Sequence, residues 1–381
     1  MTYVLGLETS CDETSVALLR EDGGISASVV SSQIEMHRRY GGVVPEIAAR
    51  AHLTNLPLLL DEALAQAGAR LDEVGLVVAT AGPGLVGALL VGLAEGRGLA
   101  LGLGVPFLPG HHIEGHALSP FLDLDGGPAR AVPPRFAALV VSGGHSHVFA
   151  FAPEGISVLA RTRDDAAGEA YDKVAKMAGL GYPGGPVVDR LARSGRVAEP
   201  FAVPRFKGGS LDLSFSGLKT AVRDRLASLG FAPNTGVALR GPALAEEDAP
   251  PALRDLLAAF QEAVVGQLED RVDRLLESER FPLLTVSGGV AANSLLRERL
   301  AAWGARRGVE VLLAPRALTS DNAAMVAFAG LLRHRAGVPH EGLSAPARSR
   351  WPLESLPWSR PATARPPAPS AARAGETRPI G

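Results

Sequence analysis

His112 and His116 stand four residues apart in His111-His112-Ile113-Glu114-Gly115-His116, directly behind a turn at Pro109-Gly110. Residues i and i+4 of a helix share one face, so a helix starting here brings two imidazoles to one metal ion. A surface helix that merely carries histidines is the plainer reading, yet three of the chain's nine histidines fall within these six residues. A metal needs further ligands. Asp321, at the mouth of an Ala-Met-Val-Ala-Phe-Ala helix, is the acid best placed to complete the set from across a cleft, although a helix N-terminus favours an acid there in any case. Spacing disfavours zinc-peptidase chemistry. That pattern wants Glu directly after the first His, whereas Glu114 stands two residues on and projects about 200° round the helix from His112.

Three turns have the make-up of phosphate grips. Glu8-Thr9-Ser10-Cys11-Asp12-Glu13-Thr14 separates apolar strands at 4–7 and 15–19. Hydroxyls, acids and backbone N–H groups at such a tip can hold a phosphate or the metal riding on it; an ordinary polar hairpin is the alternative. Ser142-Gly143-Gly144-His145-Ser146, between strands at 136–141 and 147–151, repeats that layout about 130 residues later. Val-Ser-Gly-Gly, first met at 141–144, returns at 286–289 after a strand at 283–286 and before a helix at 293–307. One Gly-Gly is weak evidence, since turns use glycine for backbone reasons. The three turns together point to two βββαβα-like halves facing a cleft, each lending a loop to one nucleotide. A single Rossmann sheet would want Gly-x-Gly-x-x-Gly after the first strand, and none is there. Asp172 and Asp189, flanking the turn Gly181-Tyr182-Pro183-Gly184-Gly185-Pro186, suit ribose hydroxyls or, on the bland reading, helix capping and a helix surface.

Other elements must position these groups. The segment 33–45, with its run His37-Arg38-Arg39-Tyr40-Gly41-Gly42, reads as an exposed basic-aromatic loop leading into a helix at 46–66. A buried strand at 75–80 turns at Gly82-Pro83-Gly84 into a helix whose Gly87, Gly92 and Gly96 permit close packing, and 104–110 reads as a loop. Residues 122–134 form a loop, and 229–251 a loop insertion. Phe206, Lys207 and the basic residues at 219–225 make a modest patch that is usually a solvated face. From Ser344 onward Pro, Ala, Ser and Arg dominate, which predicts disorder.

Composition sets the bounds. With 381 residues, 46% hydrophobic and 20% charged, the chain suits two globular domains. A net charge of -2 advertises no global affinity for nucleic acid. The lone Cys11 precludes an internal disulfide and suits a reducing compartment. The N-terminus lacks a signal-peptide pattern, and the apolar stretch 85–103, broken by Glu95 and Arg97, reads as a buried helix rather than a membrane span. The expectation is a soluble, cytoplasmic protein with no membrane partner.

Taken together, these stretches resemble the tRNA threonylcarbamoyladenosine transferase family. The runs at 8–14, 40–46, 80–85, 112–116, 140–145, 166–173, 182–186, 215–220, 287–293 and 320–322 keep family order from residue 4 to about 355, leaving out the loop at 231–251. The resemblance implies an α/β fold of two duplicated actin-like/sugar-kinase-like (ASKHA) domains facing an interdomain cleft. Expected divisions are 1–134, 135–317, a closing helix at 318–345 and a largely disordered tail at 346–381. It makes His112, His116 and Asp321 the ligands of one divalent metal, Fe(2+) or else Zn(2+). His111 drops out, because the family pattern starts at His112. Substrate contacts fall on Val140, Val141, Ser142, Gly143, Gly144, Asp172, Gly185, Asp189 and Asn293, with position 189 varying between Asp and Ser in the family. The implied reaction transfers threonylcarbamoyl from threonylcarbamoyl-AMP to the exocyclic amine of the adenosine 3′ of the anticodon in tRNA. Asp12 or Glu13 would accept the amine proton or orient the metal's water. Expected partners are tRNA, a smaller paralogous subunit without the metal ligands, and an accessory ATPase. The rivals are a metallopeptidase, a small-molecule kinase of the same fold, and a scaffold with a vestigial nucleotide site. Such kinases bind Mg-ATP without paired histidines, and a scaffold would have lost Asp12, Asp172 or the metal set.

Overall fold

The computed structural model describes residues 3–203, 206, 209–231 and 244–358. Its first half runs β1 (Tyr3–Glu8), β2 (Glu13–Arg20), β3 (Ile25–Ser32), α1 (Ile34–Arg38), α2 (Pro45–Ala67), β4 (Val74–Gly82), α3 (Val86–Leu103), β5 (Phe107–His111) and α4 (His112–Leu118). The second half runs β6 (Phe136–Val141), β7 (Ser146–Ala152), β8 (Gly155–Arg161), α5 (Ala167–Met177), α6 (Gly184–Ala192), α7 (Ser216–Ser228), α8 (Pro251–Ser278), β9 (Leu283–Ser287), α9 (Ser294–Arg307) and β10 (Glu310–Leu313). Helix α10 (Ala323–Arg335) follows.

Among the described residues the strands form two five-stranded sheets, ordered β3-β2-β1-β4-β5 and β8-β7-β6-β9-β10. In each, the first three strands form an antiparallel meander and the last two run parallel to the first. The two halves are therefore one topology used twice.

Alternation along the central strands builds the layers, because successive strand residues face opposite sides. In β1, Leu5 and Leu7 face α2 and α3, packing with Leu56, Leu60 and Leu93. Val4 faces the other way, onto a core shared by α4, α10 and the second sheet, to which β6 contributes Phe136, Ala138 and Val140. Ala137, Leu139 and Val141 of β6 point outward under the helices of the second half, with Tyr171, Val264 and Leu296. Helices α4 and α10 thus lie between the sheets. Helix α10 belongs to the first sheet as much as it closes the molecule: a Cβ at Gly6 would lie 2.4 Å from Ala323 O, so only glycine lets the first turn of α10 sit on β1.

Several expectations need correction. Residues 107–110, read as part of a loop, belong to strand β5, which runs on through His111. Segment 33–45 is not simply exposed. It contains the short helix α1, and His37 is fully buried, its Nε2 3.2 Å from Gln33 Oε1 and its Nδ1 accepting from Val44 N at 3.3 Å. Only a third of helix α3 is buried. It is long and apolar enough to cross a membrane by composition, yet it packs on β4 and leaves Val86, Leu90 and Leu101 in solvent. The expected tail disorder does not hold for 344–358, which strap across both halves. Arg348 N donates to Ala81 O at 2.7 Å, and the Trp358 ring stands edge-on to Phe151 with centroids 4.9 Å apart. The rest of the tail, Lys207 and most of the 229–251 loop lie outside the described residues.

Candidate functional site

A cleft of about 1370 Å³ opens between the halves. Ser10, Cys11, Asp12, Glu13, His112, Ser320 and Asp321 line it from the first half; Ser142, Gly143, Gly144, His145, Asp172 and Gly289 line it from the second. Across its mouth Arg38 Nε donates to Tyr182 O at 3.2 Å.

Two of the metal-type residues, His112 and Asp321, line its floor, and His116 meets them from behind. His111 caps α4, its Nδ1 accepting from Glu114 N at 3.3 Å, while its Nε2 lies 2.9 Å from Trp351 O. That fixes where α4 begins, and the i, i+4 spacing does the rest: the His112 and His116 rings stand at 86° with centroids 4.7 Å apart. Asn322 is the N-cap of α10, accepting from Met325 N at 3.0 Å, and Ser15 Oγ accepts from Ala323 N at 2.9 Å. Asp321 is so placed immediately before the helix. Its Oδ1 lies 3.0 Å from His116 Nε2 and 3.5 Å from His112 Nε2, and one donor atom from each of the three residues falls within 4.8 Å of the others.

Electrostatics mark this as a cation trap. Burial works to raise the Asp321 carboxyl, but His112 and His116 outweigh it and hold it far below the usual range. Burial works to lower His112, yet Asp321 and Glu8 hold it up to about 9. Burial lowers His116 and pushes His145, with help from His112 and His147, down to about 3. Two carboxylates around His112 favour a positive charge there, and a divalent ion can replace its proton. The donor set of two imidazoles and a carboxylate therefore fits the metal that the sequence implied. Glu114 takes no part. Its carboxylate is buried and forms two bonds to Arg333, at 2.6 and 2.7 Å, which closes the peptidase reading.

The turns come together as well. The tip after β1 is braced by a polar network absent from the sequence reading: His52 Nδ1 lies 2.8 Å from Thr14 Oγ1, and its Nε2 3.0 Å from Cys11 O. Gly288, at φ +88°, approaches so closely that a Cβ there would lie 2.4 Å from Val141 O; this lays the third turn on the second. Cβ positions at Gly143 and Gly144 meet nothing within 4 Å, so bare backbone faces the cleft.

The remaining predicted contacts divide. Ser142, Gly143, Gly144 and Asp172 line the cleft; Val140 and Val141 are buried in β6, and Gly185, Asp189, Asn293 and His116 are not on its lining. Both acids read as ribose ligands serve helix N-termini. Asp172 Oδ1 accepts from Gly184 N at 2.7 Å, and burial outweighs that bond and raises its carboxyl to about 6. Asp189 Oδ1 accepts from Ser294 N at 3.2 Å and Ser294 Oγ at 2.7 Å, and its Oδ2 meets Arg193. Asn293 caps α9 and donates to Gln261 Oε1 at 2.8 Å. Burial, Asp321 and Asp12 raise Glu13 to about 10, so at neutral pH it is a proton donor rather than a base. Sequence reasoning gave Glu8 and His145 no role of their own beyond membership of the first two turns. For Glu8 the available signal was a carboxylate ending an otherwise apolar strand.

Comparison with known proteins bears on the whole chain. A family model described as tRNA N6-adenosine threonylcarbamoyltransferase matches residues 24–328. A relative of that name from Thermus thermophilus is 44% identical over 353 residues, 92% of this chain and 99% of its own length. Another, from Aromatoleum aromaticum, is 46% identical over 361 residues, 93% of this chain and 98% of its own. Among solved structures, T. kodakarensis HypF is similar with a TM-score of 0.54 at 14% identity, over 87% of this chain and 47% of that one, a likeness of fold alone.

Proposed function

This chain belongs to the tRNA N6-adenosine threonylcarbamoyltransferase family and is a transferase acting on tRNA; on that premise we propose how its residues divide the work. The threonylcarbamoyl group of threonylcarbamoyl-AMP passes to the exocyclic amine of the adenosine 3′ of the anticodon, in tRNAs reading codons that begin with A. A mixed anhydride already carries its leaving group, so no protein nucleophile is required. Cys11 is unsuited to that role: burial and neighbouring Asp12 push its thiol far above the usual range.

His112, His116 and Asp321 hold one divalent ion, Fe(2+) in our reading and Zn(2+) as the substitute. When bound, the ion supplies Lewis-acid polarisation of an acyl or phosphate oxygen. The backbone N–H groups of Gly143 and Gly144 receive the phosphate and steady it as it departs, while that of Ser142 holds the turn by donating to His145 O at 2.7 Å. Asp172, tied to the N-terminus of α6 through Gly184 N and Gly185 N, lines the cleft on the nucleoside side. Glu13, protonated and hydrogen-bonded to Asp12, orients that carboxylate, and Asp12 accepts the amine proton. Val140, Val141, Gly185, Asp189 and Asn293 act from behind the lining by shaping the turns. The cleft exceeds the roughly 300–1,000 Å³ of a typical small-molecule site, leaving room for a tRNA base beside the adenylate.

The observation that carries this reading is the convergence of His112, His116 and Asp321 opposite the Ser-Gly-Gly turn. The smaller paralogous subunit docks on the outer face of α2 and α3, where Leu53, Leu58, Val86, Leu90 and Leu101 are exposed. An accessory ATPase completes the assembly, which works in the cytoplasm. The test is transfer by the assembled proteins with tRNA and threonylcarbamoyl-AMP. His116→Ala is expected to lower the rate on the order of a thousandfold, the several kcal/mol a Lewis acid provides. Full activity in a metal-free variant lacking both histidines refutes the assignment.

A further inference from the structure

Glu8 ends β1, the central strand of the first sheet, and is wholly buried, outside the lining of the cleft. Its Oε1 accepts from Ser10 N at 2.5 Å. Its Oε2 accepts from Thr80 Oγ1 at 2.7 Å and lies 3.2 Å from His112 Nδ1. An ionised carboxylate is expensive to bury, and neither a hydroxyl nor an amide donor requires a full charge. The imidazole does. We propose that Glu8 is the positioning residue of the metal site: it holds the His112 proton on Nδ1 and so leaves the Nε2 lone pair aimed at the ion beside His116 and Asp321.

The geometry separates the two histidines. His116 Nδ1 is buried and has no hydrogen-bond partner among the described residues, so only His112 has a carboxylate on the ring nitrogen that faces away from the proposed ion. Ser10 Oγ, 3.2 Å from His112 Nδ1, is the one competitor for that nitrogen among the described residues. A hydroxyl can donate or accept and therefore enforces no tautomer; a carboxylate can only accept. Carboxylates behind metal-binding imidazoles raise affinity about 10–100-fold by this means.

The variants order themselves in an unusual way. In Glu8→Gln the Ser10 N–H pins the amide oxygen at the Oε1 position, so the amide nitrogen must face His112. It then donates to Nδ1 and drives the proton to Nε2, the atom the ion needs. In Glu8→Ala the Ser10 hydroxyl is free to accept from Nδ1–H, and the correct tautomer survives. Affinity should therefore suffer more from the isosteric change than from the truncation. A purely structural carboxylate gives the opposite order, since truncation leaves a cavity and unpaired donors.

This inference rests on the metal reading above, and the experiment separates the two. The metal-free full-length chain, its fold checked by thermal melting, is titrated with Co²⁺ by visible absorption. The parent is expected to bind one ion in a manner abolished by His116→Ala; absence of such binding refutes the metal site itself. Given parental binding, Glu8→Gln is expected to raise the Kd about 10–100-fold, and Glu8→Ala to raise it less. A rise below tenfold in Glu8→Gln, or a greater loss in Glu8→Ala, overturns the role of Glu8. Should Glu8→Gln not fold, Glu8→Ala is compared with Ser10→Ala, and an equal or greater loss in Ser10→Ala overturns it.

Discussion

Glu114 and Arg333 join the two helices that frame the metal-type residues, and breaking this pair tests how firmly that layer is held. Glu114 is 1% and Arg333 13% exposed at the side chain, with two short bonds between them. Removing one member of such a pair leaves a buried charge without a partner, which costs about 3–5 kcal/mol. Unfolding entropy of about 2.1 cal/mol/K per residue, taken over the chain of 381 residues, converts about 4 kcal/mol into a fall of about 5 °C in Tm. Arg333→Met should be the harsher change, because the abandoned Glu114 has no route to water, whereas an abandoned Arg333 can swing outward after Glu114→Met. The double variant Glu114→Met/Arg333→Met leaves no charge behind and should recover most of the loss. Calorimetry of the metal-free proteins at pH 7 reads all four. Single variants melting within about 1 °C of the parent, or a double variant melting below both singles, would show that the pair does not act as a unit.

Two further outcomes follow from the site and the outer face. Because Asp321 and Glu8 outweigh burial and hold His112 up to about 9, against 6.5 ordinarily, its contribution of up to about 3 kcal/mol is complete below pH 6.5 and lost as pH rises through 9. The metal-free protein should melt lower across that interval while Co²⁺ affinity climbs, and a His112→Gln variant should lack the slope; stability that rises over the same interval contradicts the assignment. Leu90, 52% exposed on α3, should tolerate Leu90→Asp with an unchanged Tm, while affinity for the smaller subunit, measured by calorimetric titration, falls at least about tenfold; unaltered affinity places the partner elsewhere.

Much of the site was legible because its chemistry is local in sequence. A histidine pair spaced i, i+4 and turns of Ser-Gly-Gly carry their geometry with them. Other features were hidden by composition. Phe107-Leu108-Pro109-Gly110 looked like a loop, yet an edge strand tolerates proline, and β5 is the edge of its sheet. His37 was masked by the arginines that follow it. The strap at 344–358 has the composition of a disordered segment, but Trp351, Leu353 and Trp358 anchor it at spacings with no period to detect. Asp172 and Asp189 show the limit of residue type as evidence. An acid beside a glycine turn serves a sugar or a helix end equally well, and only coordinates tell which N–H groups it meets. Glu8 was read only as one acid of a polar tip, because nothing in the sequence tells that it is buried behind His112, 104 positions away.

The first sheet receives the cover of its inner face from α10, which the chain reaches only after the entire second domain. Synthesis proceeds from the N-terminus, and domains ordinarily fold as they emerge. Here the first domain must wait. Until Ala323–Arg335 leaves the ribosome, Val4, Ala17 and Val78 have nothing from α10 to pack against, and the two histidines stand without Asp321. On the proposed metal assignment, taking up the ion is therefore a closing event in the making of this protein, and a chain that stops short of α10 can present the histidine pair but not complete the set of three.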